Sequence, residues 1–209
     1  MRVIAIDGPS GSGKSTVARA VAARLGLGYL DTGAMYRAVA FAALQRGVDP
    51  EDVDPIAKLA RDVEISLDEG LVIVDGTDAT VAIRGPEVTR AVSAVAANPE
   101  VRVELRTRQR DWVTAHGGGV VEGRDIGTVV CPDADLKVYL TARLDVRADR
   151  RHKEVEDLDY TSVEADMAAR DARDSTRDTS PLAMADDAVL IDTTERSVDQ
   201  VVDEVLRHL

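Results

Sequence analysis

Eight residues close to the start, Gly8-Pro9-Ser10-Gly11-Ser12-Gly13-Lys14-Ser15, fit the pattern G-x-x-x-x-G-K-[ST] and constrain this chain more than any other stretch. The apolar run Val3-Ile4-Ala5-Ile6 enters the loop and a helical pattern, Thr16 to Leu25, leaves it, so the expected unit is strand, loop, helix. Glycines let successive backbone N–H groups turn toward one anion, because a Cβ there would crowd the phosphate oxygens. Lys14 adds a mobile positive charge, and the positive dipole end of the helix points at the same spot. The Ser15 hydroxyl can take one position on Mg²⁺. Nucleotide phosphate binding by Gly8, Pro9, Ser10, Gly11, Ser12, Gly13, Lys14, Ser15 and Thr16 is the expectation. The alternative, a Gly/Ser turn that meets the pattern by chance, does not account for the strand and helix on its flanks.

A chain of 209 residues has room for one α/β core with a small insertion, and one domain over 1–209 is expected. The net charge of −12 works against a nucleic-acid or anionic-membrane surface, so any anion must be caught by a local cluster of cations. Arginine outnumbers lysine 22 to 4, and arginine is the better bidentate grip on phosphate. Aromatic residues make up 3%, which leaves Val, Ala, Leu and Ile to build the core and no platform for stacking bases. Cys131 is the single cysteine, so there is no internal disulfide, and it reads as a small buried residue before Pro132. No signal segment precedes the first strand and no run approaches the ~18 apolar residues of a membrane span, so a cytoplasmic protein is expected.

Five short strands, Arg2 to Ile6, Tyr29-Leu30, Val120-Val121, Leu136 to Thr141 and Ala188 to Asp192, alternate with helices. That alternation implies a parallel sheet covered on both faces, with ligands received over the strand ends. Asp31-Thr32-Gly33 opens a helix from Ala34 to Gln45, with Thr32 as its expected cap. Arg37 faces back toward the loop side, either into a site or as a surface residue. Pro55 to Val63 reads as a helix. Glu64 to Leu67, Leu71 to Val74 and Thr80 to Ile83 read as strands of a small antiparallel insert, with turns at 68–70 and 75–78. Val88 to Ala97 and Val101 to Ala115 are helices broken at Asn98-Pro99; the second carries Arg102, Arg106, Arg108 and Arg110, most of them expected on a solvated face.

Glu122-Gly123-Arg124-Asp125 issue from a buried strand, where charges are costly without partners, so Arg124 and Asp125 are strong site candidates. Arg143, Arg147, Arg150 and Arg151 fall on or near one helical face, 157–160 makes a loop, and Thr161 to Glu164 has the capping-box pattern of the next helix. Arg170, Arg173, Asp174 and Arg177 lie along one side of it. These are either two arginine-lined helices that close over phosphates or a salt-bridged surface pair. Ser197 to Gln200 caps an amphipathic last helix. Small size, a phosphate loop and these arginines point to a phosphotransferase.

Four segments together resemble the bacterial cytidylate kinases: Asp7-Gly8-Pro9-Ser10-Gly11-Ser12-Gly13-Lys14, Leu30-Asp31-Thr32-Gly33-Ala34-Met35-Tyr36-Arg37, Gly123-Arg124-Asp125-Ile126-Gly127-Thr128-Val129-Val130 and Arg170-Asp171-Ala172-Arg173-Asp174. The resemblance runs from the first strand to the last helix. It implies transfer of the ATP γ-phosphoryl group to CMP or dCMP with Mg²⁺, in the α/β fold of nucleoside monophosphate kinases. By position it implies Ser93, Arg102 and Asp125 at the cytosine, whose exocyclic amine is a donor and whose ring nitrogen and carbonyl are acceptors. Arg37 and Arg124 are implied at the acceptor phosphate, Arg170 and Asp174 at the ribose, and Arg177 near the transferring group. Thr32 and Tyr36 join the substrate set, and Arg147 the ATP set; Lys14, Arg124 and Arg177 are the implied catalytic residues. The same resemblance implies a nucleotide-binding region with the β insert over about 33–112, a lid over about 147–161, and a monomer with no nucleic-acid or membrane partner. One departure is Glu122, where family members often carry Asp; its longer reach leaves its part in Mg²⁺ or water ordering open. The rival readings are another small phosphate-loop kinase with a different acceptor, and an ATP-binding regulatory protein that hydrolyses ATP slowly.

Overall fold

Strand β1 (Arg2–Asp7) is apolar along nearly its whole length and is buried from Val3 onward, as an inner strand of a parallel sheet has to be. It is seen in a computed structural model that describes residues 1–68, 70–154 and 159–209. Residue 69, in the first expected turn, and residues 155–158, within the expected lid and loop, lie outside the described residues. The chain divides into two compact units, one of Met1–Tyr29 with Val113–Leu209 and the other Leu30–Trp112.

The first unit is built on the sheet. After β1 come α1 (Lys14–Leu25), β2 (Tyr29–Asp31), of which Leu30 and Asp31 count with the second unit, and, from later in the chain, β6 (Gly118–Gly123), β7 (Leu136–Thr141), α6 (Leu144–Glu154), α7 (Tyr160–Ser175), β8 (Val189–Asp192) and α8 (Val198–Arg207). The strand order is β2-β6-β1-β7-β8, with β6, β1, β7 and β8 parallel. Ile4, Ile6, Val120, Val138, Leu140 and Ile191 point to one face, where Val17 and Val21 of α1 and Val201, Val202 and Val205 of α8 close over them. Residues of opposite parity, Val3, Ala5 and Val121, are buried too. Gly26 ends α1 in the left-handed region at φ 64°, and the Ser197–Gln200 capping box starts α8, both as the sequence predicts. Gly118 is required by close approach: a Cβ there would lie 2.2 Å from the Arg2 carbonyl oxygen.

Four details of this unit differ from the sequence reading. Helix α7 is capped by Asp159, which accepts the Ser162 N–H, so the box proposed at Thr161–Glu164 does not form; Asp159 lies one residue ahead of the helix and outcompetes Thr161, which is already inside it. Arg143 precedes α6 and pairs in solvent with Asp145, so it does not share a helical face with Arg147. Between β6 and β7 the chain makes a π-helical turn, Ile126–Val130, that no periodicity announces, and Cys131 after it is half-buried rather than buried.

The second unit packs α2 (Thr32–Gln45) against α3 (Val53–Asp62), α4 (Pro86–Ala97) and the start of α5 (Pro99–Ala115), with a hairpin of β3 (Ile65–Asp68), β4 (Leu71–Val74) and β5 (Thr77–Asp78). Asp31, not Thr32, caps α2: its carboxylate accepts the Ala34 N–H at 3.0 Å, and Thr32 is the first helical residue. The third strand is Thr77–Asp78 rather than Thr80 to Ile83. Asp75 and Gly76, at φ 49° and 77°, form a two-residue hairpin turn, so Val74 pairs with Thr77 at once. The Asp78 carboxylate then accepts the Thr80 N–H and ends the strand, and Ala82–Arg84 make a 3₁₀ turn. The arginines of α5 are not mostly solvated. Arg108 donates to the carbonyls of Ala60, Arg61 and Val63 at the end of α3, Arg102 is buried, and only Arg110 of the four is exposed. Asn98 breaks the two helices as expected and joins three segments. Its side chain donates to the Val53 carbonyl and accepts the N–H groups of Glu100 and Val101.

Candidate active site

A loop that presents N–H groups to an anion must turn its carbonyls outward, and each carbonyl then needs a donor. The first unit supplies them from four places. Lys14 Nζ donates to the Pro9 carbonyl at 2.7 Å, Arg147 Nη1 to Ser10 at 3.0 Å, Arg150 Nη1 to Gly11 at 3.4 Å, and Thr193 Oγ1 to Ser12 at 3.0 Å. The Gly13 carbonyl accepts the Val17 N–H and so begins α1. Gly8, Gly11 and Gly13 hold φ of 147°, 73° and 88°, and a Cβ at Gly8 would sit 2.0 Å from the Leu140 carbonyl oxygen. The Ser12 hydroxyl is buried with no hydrogen-bond partner among the described residues.

Charge gathers around Lys14, which is only 6% exposed. Burial lowers its pKa to about 7, with the Arg124 and Arg170 guanidiniums pushing the same way and Glu122 and Asp7 opposing them. Arg170 is lowered to about 10, by burial first and then by Arg124. Asp174, buried, receives Arg124 Nε at 3.1 Å and Arg177 Nη1 at 3.5 Å. Glu122 is buried at the end of β6 and accepts the Tyr29 hydroxyl. A buried group of cations whose charges disfavour one another is stabilised by a polyanion, so the residues present fit a nucleoside triphosphate. The donors also suit Mg²⁺, a hard cation that keeps oxygen ligands and leans on substrate phosphates, with the Ser15 hydroxyl opening α1. Among the described residues no group of three or more His, Cys, Asp or Glu side chains forms a metal cage.

Asp7 does more than complete the first motif. Its carboxylate, at the end of β1, accepts the N–H groups of Ile126 and Gly127 at 2.9 and 2.8 Å, which anchors the backbone next to Arg124 and Asp125. Burial raises its pKa from 3.8 to about 6 against the lowering effect of those two donors. The signal was the one used for Glu122-Gly123-Arg124-Asp125, a charge issuing from a buried strand.

Within the second unit, the residues named from the sequence fall on α2, α4 and α5. Arg102 is 4% exposed; its guanidinium lies 5.3 Å from the centroid of the Tyr36 ring, and Nη1 donates to the Ala96 carbonyl. Arg37 Nη1 donates to the Ile83 carbonyl at 3.1 Å and to Thr89 Oγ1 at 3.0 Å. Thr89 and Ser93, four residues apart, share a face of α4, so Arg37 and half-buried Ser93 belong to one surface. Thr32 is buried at the head of α2. Ser93 and Arg102 therefore lie in one unit, and Asp125, buried after β6, in the other.

No helix among the described residues is long and apolar enough to cross a membrane. The family model for cytidylate kinase matches residues 4–209. The cytidylate kinase of Streptomyces avermitilis is 50% identical over 98% of this chain and 90% of its own length. That of Desulfitobacterium hafniense is 50% identical over 97% of this chain and 90% of its own. Among solved structures, a gluconokinase from Sinorhizobium meliloti has the same fold at 16% identity, with a TM-score of 0.52 over 99% of this chain and 90% of that one. The match takes in the phosphate loop, the helices of the second unit and the arginine helices α6 and α7, and the chain belongs to the cytidylate kinase family.

Proposed function

We propose that this kinase transfers the γ-phosphoryl group of ATP to CMP or dCMP, giving ADP and CDP or dCDP. The observation that carries the reading is that one family relationship covers both units, residues 4–209, so the loop for the donor and the helices for the acceptor come under it together. The attacking oxygen belongs to a phosphate that is already anionic, so no general base is needed, and catalysis is alignment with charge neutralisation. The loop from Gly8 to Thr16 holds the ATP phosphates through its N–H groups, with Lys14 over the β and γ oxygens. Arg124 and Arg177, steadied by Asp174 between them, neutralise charge on the transferring group. The Ser15 hydroxyl would hold Mg²⁺, which would supply charge neutralisation on the phosphates. Arg37 grips the acceptor phosphate together with Arg124, and Arg170 and Asp174 meet the ribose, with Thr32 and Tyr36 lining the acceptor side.

Cytosine is selected because its edge carries one donor and two acceptors. The Asp125 carboxylate accepts from the exocyclic amine, while Ser93 and Arg102 donate to the ring nitrogen and carbonyl. Uracil presents the opposite pattern at two of these positions and leaves buried groups unpaired. The region of about 33–112 is the acceptor-binding part and about 147–161 the lid. The protein works as a cytoplasmic monomer without nucleic-acid or membrane partners. A coupled assay of ADP formation over CMP, dCMP, UMP and AMP tests the proposal: CMP or dCMP is preferred, and a clear preference for AMP, or no acceptor-dependent ADP at all, overturns it.

A further inference from the structure

Ser10 is held at both ends of its own residue. Its N–H donates to Asp171 Oδ1 at 3.3 Å, its carbonyl accepts from Arg147 Nη1 at 3.0 Å, and Arg147 and Asp171 are themselves ion-paired, which closes a ring through α6, α7 and the loop. Arg147 is 8% exposed and its Nε donates to the Ala142 carbonyl at 2.9 Å, so the guanidinium cannot swing without giving up three partners. The packing repeats the message one residue further on. A Cβ at Gly11 would lie 2.8 Å from Met167 Cε and 3.0 Å from both Cβ and the carbonyl oxygen of Arg147, so the loop is seated directly on the two helices and only glycine fits. A phosphate loop binds through the direction of its N–H groups, and that direction is set by where its carbonyls are tied.

We infer that Arg147 and Asp171 are positioning residues that fix the shape of the phosphate loop through Ser10, with Arg147 acting on ATP through the loop rather than by touching it. The inference rests on the reading of the loop as the ATP site and deepens it. Asp171 is the informative member: it accepts the Ser10 N–H and holds Arg147 against the carbonyl of the same residue.

The test measures equilibrium binding of a fluorescent ATP analogue, without acceptor, alongside KM for ATP and for CMP. Asp171→Ala is expected to weaken analogue binding about tenfold, the size of a lost hydrogen bond to a charged group, and to raise KM for ATP in step while KM for CMP stays within about twofold. Asp171→Asn, nearly isosteric and with its fold checked by thermal melting, still accepts from Ser10 but no longer pairs with Arg147, and falls between. Arg147→Ala matches Asp171→Ala, and the double variant loses no more than either alone, because the pair works as one unit. Unchanged analogue binding in Asp171→Ala, equal rises in both KM values, or additive losses overturn the inference. Because binding is read without acceptor, a failure of CMP as substrate would strike the proposed function and leave this result standing.

Discussion

The loop after β1 and the helices α2, α4 and α5 are the proposed donor and acceptor sites, and they are made of different halves of the polypeptide. In the loop the proposed ligands are backbone N–H groups, and side chains from Lys14, Arg147, Arg150 and Thr193 are spent on loop carbonyls. In the helices the backbone is used up internally, and the groups on offer are side chains such as Arg37, Ser93 and Arg102. The loop is accordingly a short contiguous signature, whereas the acceptor groups are scattered over three helices. The difference predicts that damage to the loop abolishes turnover whatever the acceptor, and that damage to the helices changes which acceptor is used.

Lys14→Met is the largest test. It removes the one side chain of the loop that carries charge, and kcat is expected to fall about a thousandfold while the protein still folds and melts cooperatively. Near-normal turnover would show that the donor site does not depend on Lys14.

A stability measurement on the nucleotide-free protein sharpens the same point. Lys14 has a folded pKa near 7 against an ordinary 10.5, so between these values the unfolded chain holds a proton that the folded one has lost, and stability rises with pH across that window. The contribution is complete above 10.5 and gone below 7, with burial as its largest cause. Asp7 works in the opposite sense lower down. Its folded pKa of about 6 exceeds 3.8, so its contribution is present below 3.8 and lost as pH rises through 6. Subtracting the melting curves of Lys14→Met from those of the parent isolates the alkaline rise, and saturating ATP flattens it by stabilising the ammonium. A difference that is flat from pH 7 to 10 removes the buried, crowded lysine from the argument.

At the acceptor end the expected losses are smaller and selective. Asp125→Ala is expected to cost about a hundredfold in kcat/KM for CMP and to leave KM for ATP within about threefold, since one charge-assisted hydrogen bond to the base is lost. An equal loss for both substrates moves Asp125 to a structural or metal role. For Arg102→Lys about tenfold on CMP is expected, because lysine keeps the charge but has no guanidinium to set over Tyr36 or to donate through a fork.

The same division explains what was legible in the sequence. The sheet, the phosphate loop and most helices follow from local pattern, and so did the Gly26 and Ser197 caps. Caps at Asp31 and Asp159 were misplaced by one and two residues because an acidic side chain just outside each helix competes with a threonine just inside it. The third strand of the insert was placed too late, since Asp75-Gly76-Thr77-Asp78 serves equally as a four-residue loop and as a two-residue turn with its first pair. In the first unit Arg124 bridges Asp174 and the surroundings of Lys14, and all three residues stand in the quoted motifs. Arg102 and Ser93 came from the resemblance alone, because nothing in the spacing of four arginines on α5 separates the buried one from the helix cap Arg108. Asp7 and Asp171 were in plain view inside motifs, but their partners, Ile126 and Gly127 in one case and Ser10 in the other, are more than a hundred residues away.

Tyr36→Phe carries the smallest expected effect and asks what the tyrosine is for. Its ring is buried beneath the Arg102 guanidinium, and a cation over an aromatic face is held by the ring quadrupole, which phenylalanine retains. If stacking is the function, Tyr36→Phe changes kcat/KM for CMP by no more than about twofold, while Tyr36→Leu, which removes the π face at similar volume, approaches the loss seen for Arg102→Lys. A tenfold loss in Tyr36→Phe would instead make the hydroxyl a substrate contact. Either way ATP binding should not respond, because Tyr36 sits in the unit whose working parts are side chains and the donor site is made of backbone.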